Sequence, residues 1–84
     1  MKIVFKLFAQ LTVYLRTETA SDNVVELEVE AGTTIAQMVE RFHLPHHLVH
    51  LVLVNGAYIA PENRASYLLQ EGDALAIWPQ IAGG

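Results

Sequence analysis

The chain has 84 residues, 52% of them hydrophobic, and a formal net charge of −4 from five Lys and Arg against nine Asp and Glu. This describes a single small domain with enough apolar side chains for a core, and its acidic balance, with no basic patch, opposes phosphate-backbone binding, so nucleic acid is not an expected partner. Cysteine is absent, which excludes disulfides, thiolate nucleophiles and Cys-based metal sites.

Met1-Lys2 leads directly into a strand pattern with no signal-peptide layout. No run approaches the roughly 18 apolar residues needed to cross a bilayer, so no membrane partner is expected and the localisation is read as cytoplasmic. Residues 2–9 alternate, with Ile3, Phe5 and Leu7 on one face and Lys2, Val4, Lys6 and Phe8 on the other, the period of a strand with one buried face. Residues 10–15 fit either a helical turn or an extension, and the polar run 17–23 reads as a loop. Residues 24–30 alternate again, Val25, Leu27 and Val29 opposing Glu26, Glu28 and Glu30. The glutamates fit a solvated strand face, or an acidic surface for a basic partner.

Ala31-Gly32 ends that pattern, and Thr34-Ile-Ala-Gln37 matches a capping box at a helix start. Ile35, Met38, Val39 and Phe42 form one apolar stripe, and Pro45 requires the helix to end by Leu44. Residues 51–54 form a short apolar strand, and Asn55-Gly56 predicts a tight turn into residues 57–60. Residues 61–65 read as a loop and 66–69 are ambiguous. Glu71-Gly72-Asp73 turns the chain into a last strand, Ala74-Leu-Ala-Ile-Trp-Pro79.

The two opening strands form a hairpin through the 17–23 loop, and two hairpins around one helix need a sheet covering that helix; the last strand can lie beside the first without crossing a connection. The expected fold is therefore α+β, a β-grasp with a mixed sheet packed on one main helix. Residues 1–79 form the domain and 80–84 a flexible, extended tail ending in Gly83-Gly84. With no Cβ on either glycine, such a tail can thread a narrow channel and present its carboxylate for reaction. From Pro79 to Gly84 it spans on the order of 20 Å.

With that order of elements, the chain resembles the ubiquitin-like sulfur carriers of the MoaD/ThiS family, which include the small subunit of molybdopterin synthase and the thiamine-biosynthesis carrier. The resemblance rests on Leu7-Phe8-Ala9, Gly32-Thr33-Thr34, Leu53-Val54-Asn55-Gly56, Glu71-Gly72-Asp73 and Ile77-Trp78-Pro79-Gln80-Ile81-Ala82-Gly83-Gly84. It implies that the Gly84 carboxylate is adenylated and converted to a thiocarboxylate, with Gly83, Ala82 and Ile81 as the tail. It also implies a protein that is not itself an enzyme and holds no cofactor, ATP being used by an E1-like adenylating partner. The other implied partners are a sulfur donor and either the molybdopterin synthase large subunit or another acceptor enzyme. Thr12-Val13 stand where many molybdopterin-synthase small subunits carry Arg-Glu, and Pro79-Gln80 where they carry Pro-Pro. The length and the Phe-Ala opening favour the molybdopterin branch. The alternatives are a thiamine-type carrier, a ubiquitin-like modifier conjugated through Gly84, and a plain binding module.

The strand alternation places Phe8 and Trp78 on the sheet face away from the helix, as a docking patch with Val4, Ala74 and Ala76 and with Pro79 at its end. His43, His46, His47 and His50 are close in sequence, but Pro45 interrupts their helical spacing and no Cys completes a set, so a metal site is not expected. Arg41 and Arg64 read as surface pairs or partner contacts. No nucleophile-base-acid constellation is present.

Overall fold

A computed structural model describes residues 1–15 and 23–80 of the chain. Five strands, β1 (Lys2–Leu7), β2 (Val24–Glu28), β3 (Leu51–Val54), β4 (Ala57–Tyr58) and β5 (Ala74–Trp78), accompany one α-helix, α1 (Ile35–Arg41). Short 3-10 helices occupy Ala9–Leu15, His46–Leu48 and Pro61–Asn63. The strands form one mixed sheet in the order β2-β1-β5-β3-β4, in which β1 and β5 run parallel and the other pairs antiparallel. This is the β-grasp expected from the pattern.

One face of the sheet carries the core. Ile3, Phe5 and Leu7 of β1, Leu75 and Ile77 of β5, and Val52 and Val54 of β3 are buried together with Ile35, Met38 and Val39 of α1. The Phe5 and Phe42 rings meet at 4.7 Å, tilted by 48°, a favoured aromatic geometry. Leu11 and Leu15 of the first 3-10 helix close one end of this core. That helix resolves the ambiguity of residues 10–15. It starts at Ala9, whose φ of 54° turns the chain sharply after Phe8.

α1 begins as expected. The Thr34 side chain accepts from Gln37 N–H at 3.1 Å, while Gln37 Oε1 accepts from Thr34 N–H at 2.9 Å, so two otherwise orphan donors are satisfied. It ends at Arg41, earlier than Pro45 alone demands. His43 adopts φ 56° and donates to the Glu40 carbonyl, while Leu44 N–H donates to the Val39 carbonyl. These are the two bonds of a Schellman stop, with His43 in the left-handed position usually given to glycine.

The Asn55-Gly56 turn has φ of 52° and 85°, the two positive values of a type I′ hairpin. Asn55 does more than turn the chain. Its Nδ2 donates to Asp73 Oδ1 and its Oδ1 accepts from Ala74 N–H, both at 2.9 Å. Asp73 is buried, and its Oδ2 accepts from Gln70 N–H at 2.8 Å. The Glu71-Gly72-Asp73 turn is also tied to β1, because Gly72 N–H donates to the Lys2 carbonyl and Val4 N–H to the Asp73 carbonyl. Two turns far apart in sequence thus lock the entry of β5 against β1 and β3.

Arg64 differs from its expected role as a surface pair. Its Nε, Nη1 and Nη2 donate to the carbonyls of Ile59, Val49 and His50 at 3.1, 3.3 and 3.1 Å. The planar guanidinium fork thereby satisfies three loop carbonyls around β3 and β4, a geometry that an ammonium group does not reproduce.

Candidate functional site

The sheet face opposite the helix is built by the alternate residues of each strand. Register places Lys6 beside Val24 on one side and Ala76 on the other, Ala76 beside Leu53, and Leu53 beside Tyr58, so one row crosses all five strands. Trp78 pairs with Leu51 in the next row, and the Phe8 ring stacks on the Trp78 indole with centroids 4.1 Å apart and planes 4° from parallel. On the other side of the central row, Val4 lies between Glu26 and Ala74. Phe8, Trp78, Val4, Lys6, Leu51 and Leu53 are half-exposed, and Tyr58 is 57% exposed. The result is a continuous apolar surface centred on β5, with no element of the described residues covering it.

Phe8 and Trp78 are therefore where the strand alternation placed them, and in direct contact. Ala76 lies between Lys6 and Leu53 on this face but is only 8% exposed, so it forms the floor of the patch. Pro79 departs from expectation. It is buried, and so anchors the end of β5 rather than offering contact surface. Leu51, Leu53 and Tyr58 enlarge the patch beyond its sequence reading. The uniform run Leu51-Val-Leu-Val54 hides which residues face outward, and only pairing with β5 settles it. The tail residues Ile81, Ala82, Gly83 and Gly84 lie outside the described residues, as do residues 16–22.

His43, His46, His47 and His50 are all exposed, and His46 Nε2 lies 3.7 Å from Glu40 Oε2. Among the described residues no group of three or more His, Cys, Asp or Glu is placed to hold a metal ion. A cleft of about 210 Å³ lies on the helix side, lined by Ala36, Val39, Glu40, His46, Val49 and Arg64. It is smaller than the roughly 300 Å³ at which small-molecule sites begin. Glu26, Glu28 and Glu30 are exposed. No helix among the described residues is long and apolar enough to cross a membrane.

Comparison with known proteins gives four findings. The model of the Mut7-C ubiquitin family matches residues 1–83. The crystal structure of SAMP1 from Haloferax volcanii is similar over 100% of both chains, with 25% identity and a TM-score of 0.66. A Pyrococcus furiosus protein assigned as molybdopterin converting factor, subunit 1, shares the fold over 95% of this chain and 98% of its own, with 18% identity and a TM-score of 0.65. No curated protein matches the chain in sequence.

Proposed function

The chain belongs to the Mut7-C ubiquitin family, and from that premise we propose that it is a sulfur carrier whose working group is the carboxylate of Gly84. In this reading an E1-like adenylating enzyme joins the carboxylate to AMP from ATP and releases pyrophosphate. A sulfide-level donor then displaces AMP and leaves a thiocarboxylate. Activation converts a poor electrophile into one with a good leaving group, and a carrier without cysteine needs no thiol of its own. The acceptor is a pterin precursor in molybdenum or tungsten cofactor synthesis, handled by a molybdopterin synthase large subunit. Catalysis belongs to these partners.

The observation that carries the reading is the position of the apolar patch. Its aromatic pair includes Trp78, the last residue of β5, so a protein seated on the face lies beside the point where the chain leaves the sheet. Apolar surface around stacked aromatics is the composition of an interface centre.

The test is intact mass after co-expression with the E1-like enzyme and a sulfur donor. Replacing one carboxylate oxygen by sulfur adds about 16 Da, and an unmodified mass under conditions that load a known carrier would overturn the reading. Conjugates of the chain on lysines of other proteins would make it a modifier instead.

Trp78→Ala separates docking from folding. The stacked pair contributes about 1 kcal/mol beyond area, whereas an aromatic at an interface centre costs more than about 2 kcal/mol of binding when truncated. Affinity for the adenylating enzyme is thus expected to fall more than thermal stability. A large stability loss with unchanged affinity would assign Trp78 to the core.

A further inference from the structure

Lysine occurs twice in the chain, both times on β1 and both on the open face. The two positions differ. Lys2 lies directly across from Glu28, whereas Lys6 lies between Val24 and Ala76. Among the described residues neither lysine has a carboxylate within ion-pair distance, Glu28 pairing instead with the Met1 ammonium at 3.7 Å; Lys2, however, faces an acid across the pair and Lys6 does not. Among the described residues Glu26 is the nearest acid by register, opposite Val4 and so diagonal to Lys6, and it makes no such pair. Lys6 is half-buried, with its stem on the apolar row and its ammonium left to reach water.

We propose that Lys6 is the specificity element of the docking face, receiving a carboxylate that the adenylating enzyme presents within an apolar surround. The assignment rests on the carrier reading and adds the chemistry of the partner's surface to it. Covering Leu53, Ala76 and Trp78 brings the partner over Lys6 as well, because Lys6 is second in the five-residue row. An ammonium cut off from water without a counterion opposes association. A partner that fits this face therefore has to supply an anion at that point, and a purely apolar surface is rejected.

The experiment is ATP–pyrophosphate exchange by the E1-like enzyme encoded in the same genome, with the carrier as variable substrate, at about 50 and about 300 mM salt. Lys6→Glu is expected to raise KM for the carrier at least about tenfold with kcat nearly unchanged, while Lys6→Arg stays within about threefold. Lys6→Met keeps the apolar stem, and its KM is expected to lose most of the salt dependence seen with the unsubstituted chain. It also carries the test if Lys6→Glu fails to fold. Reversing the matching acid on the enzyme to Lys is expected to restore exchange with Lys6→Glu. Wild-type KM and salt dependence in Lys6→Met would overturn the assignment and leave the carrier reading standing. If the unsubstituted chain supports no exchange, both fall together.

Discussion

Deletion of Gly84 is expected to abolish formation of the thiocarboxylate while leaving the domain folded. The shortened chain still ends in a glycine carboxylate, that of Gly83, so the chemical group survives and only its reach changes. One extended residue is about 3.4 Å, and a misplacement of about 1 Å at a reacting centre already costs on the order of 100-fold in rate. The added mass of about 16 Da should therefore disappear from the intact-mass spectrum after co-expression. The thermal midpoint should remain, because the described core ends at the buried Pro79. Equal loading of the deletion variant would show that Gly84 is not the handle.

Phe5→Ala is expected to produce the largest loss of stability of any single substitution considered. Phe5 is fully buried in β1, between β2 and β5, and packs its ring on Phe42. Truncating a buried Phe costs about 3–5 kcal/mol through lost transfer energy and the cavity left behind. A domain of this size has about 4–13 kcal/mol in all, so the variant should be partly unfolded near physiological temperature. Urea denaturation followed by circular dichroism measures this. A loss below about 1 kcal/mol would mean that the core is not organised around this residue.

The sequence patterns that revealed the fold are those in which one residue's environment is local. The alternation in β1 and β2, the capping box at Thr34 and Gln37, and the Asn55-Gly56 turn each express a short-range rule. Placing β5 beside β1 followed from connection rules once the elements were in order. What escaped the pattern depends on distant partners. Arg64 binds carbonyls on three residues outside its own turn, and Asn55 reaches Asp73 across the sheet, contacts that no local signal announces. The stop of α1 escaped because His43 takes a conformation that sequence rules assign to glycine. At the site, Phe8 and Trp78 could be placed by alternation, whereas Leu51, Leu53 and Tyr58 required the register of β3 and β4.

The parallel pairing of β1 with β5 governs how the molecule comes into being. Val4 meets Ala74 and Leu7 meets Ile77, so the central seam joins stretches far apart in sequence. Contacts of such sequence separation pay their loop-closure entropy before any reward, which slows folding. A nascent chain still lacking β5 has β1 paired on one edge only, with the apolar side chains that β5 later covers exposed to solvent. On the ribosome, cooperative collapse therefore waits for the segment that carries Trp78, and truncated products lacking it are expected to aggregate or be degraded rather than persist as half-built domains.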